Sequence, residues 1–178
     1  MTAKYVLAIV GVAAILVACG QPQPSQSQTY TDSKRGVQFQ YPADWSVEDL
    51  AQQNVLLLSS PLREANWQTN VFLELRTDLE TSQSSEQRLS TLAGNLGQHK
   101  TDFALQSSRV FTHASGLPAG ELLYTHTSKG VPLRERELLL WFNDGRVRFV
   151  TGSTVTTLWN KYESELSLVF NSIRPVAK

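Results

Sequence analysis

The sequence predicts an α+β domain in which an antiparallel β-sheet carries two main helices packed on it. Three observations predict this class. Segments in which apolar and polar residues alternate recur between Val37 and Thr151, the period of half-buried strands. Turn residues such as Asn143-Asp144-Gly145 separate them and suit hairpins better than helical crossovers. Over residues 84–100 and 159–173 the apolar spacing changes to three and four residues, the period of an amphipathic helix.

Ahead of the first strand, Lys4 precedes an apolar run over residues 5–17, shorter than the roughly 20 residues of a membrane-spanning helix. It reads as the hydrophobic region of a secretion signal. The run ends in Leu16-Val17-Ala18-Cys19-Gly20, which resembles a lipobox, so residues 1–18 are expected to be removed and Cys19 to become the lipid-modified first residue. Cys19 is the only cysteine, which leaves the domain to be held by its core without a disulfide. Residues 19–29, rich in Gln, Ser and Pro, read as a tether that contributes nothing to a core. Residues 30–178 are the expected domain.

Within it, Val37, Phe39 and Tyr41 alternate with polar residues, and Pro42-Ala43-Asp44 turns the chain into Trp45-Ser46-Val47, which predicts a first hairpin. Strands follow at 55–58 and 71–75, with 61–70 as punctuation. Ser84 with Gln87 forms a capping-box start for the first helix, whose apolar face carries Leu89, Leu92, Ala93 and Leu96 and whose stop is placed at Gly97. Four further strands are expected at 103–111, 121–127, 133–142 and 146–151. A two-residue Asp144-Gly145 turn sets Phe142 opposite Val147, Trp141 opposite Arg148 and Leu140 opposite Phe149. The second helix carries Trp159, Tyr162, Leu166, Val169 and Ile173 and closes at Arg174-Pro175.

Specific residues resemble a known group. Gly36-Val37-Gln38-Phe39-Gln40-Tyr41-Pro42-Ala43-Asp44-Trp45, the Gly116–Gly120 turn, Leu123-Tyr124, Asn143-Asp144-Gly145, Thr151-Gly152-Ser153, Trp159 and Phe170-Asn171-Ser172-Ile173 are similar to the PsbP-like and DcrB-like domains. The resemblance implies a PsbP-like α/β/α sandwich and a mostly non-catalytic protein. Ile173 stands where Phe is commoner in the group. The group supplies no functional motif whose residues carry over to positions here.

Charge is balanced at 16 basic against 16 acidic side chains, a composition that gives no basic footprint for nucleic acid. His99, His113 and His126 are the only histidines. Even pairing about Pro118 sets His126 opposite Val110, about 10 Å along the strand and on the other face from His113, so the two share no metal ion. No nucleophile elbow, phosphate loop or cofactor signature occurs. The expectation is no catalytic residue, no metal and no cofactor.

The remaining candidates lie in one hairpin. Arg134 and Arg136 share a strand face with Leu138, Leu140 and Phe142. That strand either emerges into solvent there or presents two guanidiniums to a pocket. On the opposite face Trp141 and Arg148 form either a contact for a partner or a surface under a helix. Together these readings anticipate a monomeric domain, anchored to a membrane through its N-terminal lipid, that binds a protein partner or assists assembly of an envelope complex. Gly20 after the cysteine favours the outer membrane in a diderm host. A photosystem II accessory role in a photosynthetic host, or a small-ligand binder or enzyme using the Arg134 and Arg136 side, are the alternatives.

Overall fold

The computed structural model describes residues 26–76 and 83–176; the signal and Cys19 lie outside the described residues. In chain order the elements are β1 (Ser27–Asp32), β2 (Val37–Pro42), β3 (Ser46–Leu50), β4 (Val55–Glu64), β5 (Trp67–Arg76), α1 (Ser85–His99), β6 (Thr101–Thr112), β7 (Pro118–Ser128), β8 (Val131–Trp141), β9 (Val147–Val155), α2 (Trp159–Ser172) and β10 (Arg174–Pro175). A seven-stranded sheet runs β3-β4-β5-β9-β8-β7-β6, and a three-stranded sheet runs β1-β2-β10. Neighbouring strands are antiparallel throughout. The class is the α+β one the periodicity predicts.

The large sheet is two meanders, β3 to β5 and β6 to β9, joined where β5 pairs with β9. Alternate residues of β8 divide its two faces. Leu138 and Leu140 join Leu56, Leu58, Val71, Leu73 and Val150 beneath the apolar stripe of α2, Trp159, Tyr162, Leu166, Val169 and Phe170, with Val37 and Phe39 of β2 closing the same core. Leu139 joins Leu122, Tyr124, Val147 and Phe149 beneath Leu89 of α1. Gly120 and Gly152 admit these helices to the sheet. A Cβ on Gly120 would lie 2.9 Å from Leu89 and 2.8 Å from Trp141, and one on Gly152 would lie 2.9 Å from Phe170.

Both helices form where the spacing places them. The capping box of α1 is complete: Ser84 Oγ accepts from the Gln87 N–H, and Gln87 Oε1 accepts from the Ser84 N–H. Gly97 does not stop the helix, which continues to His99 before Lys100 caps it through its N–H on the Leu96 carbonyl.

Four local expectations are corrected. β2 and β3 do not form a hairpin: β2 pairs with β1 and β10, whereas β3 pairs with β4. The Pro42–Trp45 turn sends the chain from one sheet to the other, and buried Trp45 anchors the crossing in the core. β1 begins at Ser27, inside the stretch read as tether; its backbone pairs with β2 although its first residues stay exposed. Residues 61–70 are strand, except for a two-residue turn at Ala65 and Asn66, whose φ values of 48° and 62° close the β4–β5 hairpin.

The fourth correction concerns Asp144-Gly145. Three residues, Asn143 to Gly145, form the loop, with Gly145 N–H donating to the Phe142 carbonyl and only Gly145 at positive φ. Asp144 Oδ1 accepts from the Arg146 N–H, an Asx interaction that suits a type I turn with a glycine bulge. Trp141 therefore faces Val147, and Leu140 faces Arg148. That one-residue change moves every β9 side chain to the other face.

Candidate binding site beside helix α1

The corrected register separates the predicted pair. Trp141 is half-buried on the α1 side and packs with the Leu89 and Phe149 cluster. Arg148 lies on the α2 side, only 3% exposed, with its guanidinium 4.0 Å from the centre of the Phe142 ring. It donates to the Arg35 carbonyl and to both oxygens of Asp144. The Arg148 hydrogen bonds hold the Asp144 carboxyl down to about 2. Trp141 and Arg148 thus form no common patch and no stack.

Arg134 and Arg136 do share the face of Leu138 and Leu140, but α2 covers it. The Arg134 guanidinium lies over Trp159 at 4.5 Å and that of Arg136 over Phe170 at 4.7 Å. Arg136 also donates to Glu121 Oε2 at 2.6 Å. The strand therefore does not leave the core here, and both guanidiniums lie against rings of α2. The histidines lie farther apart than even pairing about Pro118 implies, because Val110 faces Gly120 and Thr101 faces Thr127. His126 sits near the start of β6 and His113 beyond its end, where its Nε2 contacts the Phe170 carbonyl.

The other side of Arg134-Glu135-Arg136-Glu137 is the chemically distinctive one. Strand alternation sends both carboxyls to the α1 face, level with Tyr124 and Leu122 of β7. The Tyr124 hydroxyl lies 2.7 Å from Glu135 Oε2 and 3.2 Å from Glu137 Oε2. Glu135 also receives the Lys100 ammonium at 2.8 Å and has His126 Nε2 3.2 Å from its other oxygen. Among the described residues, the Tyr124 hydroxyl is the one hydrogen-bond partner of Glu137.

A single phenolic proton serves two buried carboxyls, and their surroundings push them apart. Burial opposes ionisation of Glu135, but the Lys100 ammonium together with the Tyr124 hydroxyl and His126 outweighs it and holds that carboxyl below its ordinary range. Burial pushes Glu137 up to about 7. Burial, Glu137 and Glu135 together push the Tyr124 phenol far above its usual value. Between the lowered value of Glu135 and about 7, Glu135 is the carboxylate and Glu137 is the carboxyl that keeps its proton.

This cluster borders an open cavity of about 400 Å³ walled by Val55, Phe72, Phe149 and Leu96 and edged by Glu74 and Arg76. Among the described residues, α1 packs on β6 and β7, at one end of the sheet, and no described helix lies over the β4–β5 side of the same face. Phe72 is 38% exposed there, with Val55 and Leu57 half-buried. Of this cluster, Lys100, Glu135 and Glu137 are not among the candidates read from the sequence, and His126 enters there only as a histidine without a metal-sharing partner. The signal was present: two glutamates two residues apart in a strand bounded by Leu133 and Leu139 must share an inward face.

No family model matches the chain, and no curated protein matches it in sequence. Solved structures do resemble it. The cyanobacterial PsbP (CyanoP) of Synechocystis superposes with a TM-score of 0.61 at 18% identity, over 90% of this chain and 98% of that one. LpqN of Mycobacterium tuberculosis, described as involved in cell envelope biogenesis, gives 0.62 at 12% identity, over 84% and 90%. The Ran-binding protein Mog1p of Saccharomyces cerevisiae gives 0.62 at 7% identity, over 85% and 96%. The fold is PsbP-like, as the residue pattern from Gly36 to Ile173 implies.

Proposed function

We propose that the chain is a lipid-anchored envelope protein whose domain, a PsbP-like α/β/α sandwich with an incomplete helical layer, acts without catalysis by docking a protein partner. The carrying observation is the half of the α1 face that no described helix covers, where exposed Phe72 and half-buried Val55 and Leu57 adjoin the buried Glu135 and Glu137 cluster. An apolar surface with a charged margin suits a protein contact. The lipobox-like run ending at Cys19 supports anchorage, and the fold likeness to an envelope-biogenesis protein and to a Ran-binding protein supports an accessory, binding role. The anchoring membrane is the outer one in a diderm host, after Gly20.

The near-complete coverage of the CyanoP chain favours one second reading, a thylakoid-anchored photosystem accessory in a photosynthetic host. A photo-crosslinking amino acid at position 72, compared with one at exposed Leu105 on β6, tests the docking face in intact cells. A discrete adduct at 72 and none at 105 is expected. Equal adducts at both positions, or none at 72, would overturn the docking face.

A further inference from the structure

We propose that the cavity beside α1 receives the side-chain ammonium of a lysine from the docked partner, with Glu137 as its counter-ion. This deepens the docking reading above and rests on it.

The chain already contains half of such an arrangement. The Lys100 ammonium meets Glu135 at 2.8 Å and lies 5.4 Å from the centre of the Tyr124 ring, combining a carboxylate with an aromatic face. Glu137, the next residue on the same face of β8, forms no ion pair among the described residues, although the charges of Lys100 and Arg76 act on it from farther off. It is 6% exposed, lines the cavity, and shares the single Tyr124 proton with Glu135 at the longer of the two distances.

Charge counting points the same way. Of the three carboxyls that line the cavity among the described residues, Glu74 meets Arg76 at 3.5 Å and Glu135 meets Lys100 at 2.8 Å. Glu137 is the third: protonated it adds no charge, and ionised it calls for one more positive charge beside it. The ligand that completes the set is a single cation able to ionise Glu137 as it enters.

The shape of that cation follows from the carboxyl. Glu137 Oε2 is engaged with Tyr124, so one oxygen faces the ligand, which suits the point charge of an ammonium better than the two-pronged guanidinium. Phe72, Phe149, Val55 and Leu96 offer apolar walls to an alkyl stem behind the charge. A lysine side chain has both parts, and the exposed apolar half-face around Phe72 accommodates the backbone that presents it.

Entry of the ammonium transfers the Glu137 proton to solvent, so binding releases one proton at acidic pH. The groups that face Glu137 are Tyr124 of β7, Glu135 of β8, Lys100 at the end of α1 and Arg76 of β5. None of them donates a hydrogen bond to its ligand-facing oxygen.

The test follows the Glu137 carboxyl by ¹³C NMR in the full-length chain in detergent, with added Nα-acetyl-lysine amide. The probe is expected to lower the midpoint of the Glu137 titration by about one pH unit or more, corresponding to at least a tenfold preference for the ionised form. The Nε-acetylated probe is expected to leave it unmoved, and Glu137→Gln to abolish probe binding while the chain stays folded. An unmoved Glu137 titration would overturn the proposal. A response to n-butylammonium without one to the lysine probe would assign the cavity to a small amine and overturn the lysine assignment. In cells, Glu137→Gln is expected to weaken the adduct at position 72. An undiminished adduct would sink the lysine contact and leave the docking face standing, whereas loss of any adduct in the unmutated chain would sink the docking face itself.

Discussion

Arg148 donates from Nε and Nη2 to the carbonyl oxygen of Arg35 at 3.0 and 2.9 Å, tying β9 to a turn 113 residues earlier in the chain. Arg35 is itself buried and paired with Asp32 at 2.6 Å and Asp49 at 2.7 Å. The two guanidiniums thus fix the small sheet to the large one. Arg148→Leu is expected to lower stability by about 2 kcal/mol, chiefly because it orphans a buried carbonyl, the loss at the partly exposed Asp144 adding little. Arg148→Lys is expected to recover only part, since an ammonium does not span both acceptors. Urea midpoints check both, and an unchanged midpoint in the leucine variant would contradict the tie.

Glu137 gives a pH dependence of defined sign. Its folded carboxyl is raised from 4.5 to about 7 by burial, so the stability it contributes is fully present below about 4.5 and is lost as pH rises through 7. Glu137→Gln, which cannot ionise, is expected to equal the unmutated chain near pH 4.5. It should exceed it by about 3 kcal/mol at pH 8, because each tenfold change in a protonation equilibrium is worth roughly 1.4 kcal/mol. Denaturant titrations at several pH values read this difference. Parallel curves for the two proteins would refute it.

Trp141 lies under α1 against the Leu89 cluster, so Trp141→Ala is expected to cost about 3 kcal/mol, the low end for removing an indole from a core because this one is half-buried. The readout is the denaturant midpoint. A change below about 0.5 kcal/mol, the range of ordinary surface substitutions, would return Trp141 to the surface.

Cys19→Ser is expected to abolish incorporation of labelled fatty acid and to leave unprocessed or mislocalised chain, on the strength of the Leu16-Val17-Ala18-Cys19 run. Labelling at the unmutated level would refute lipidation at that thiol.

How far the sequence reaches is clearest in the β8–β9 hairpin. The periods that define both helices and most strands are local, and Ser84 with Gln87 caps α1 as the motif implies. Turn length is less local. Asp144 is held out of positive φ by its own contacts with the Arg146 N–H and with Arg148, and that single extra loop residue moves Arg148 and Phe149 to opposite faces from those expected. Lys129-Gly130, a weaker signal, makes the two-residue turn instead, with φ values of 49° and 78°. The candidate site escaped for a related reason. Its residues come from β4, β5, α1 and its C-cap, β7, β8 and β9, and only the register between those elements brings Lys100 to Glu135 and leaves Glu137 without an ion pair among the described residues.

The alternation from Arg134 to Glu137 also keeps β8 from pairing wrongly. A slip of one residue against β7 and β9 would press two carboxylates onto the rings of Trp159 and Phe170 and drive two guanidiniums toward Lys100. A purely apolar central strand would tolerate such a slip with little penalty, because leucines occupy both of its faces near Leu139. Here the charges act as teeth of opposite sign cut on opposite sides of one rod, so misregistered chains meet repulsion before they meet packing. The hairpin that carries the buried acids thereby resists settling into a near-native trap during folding.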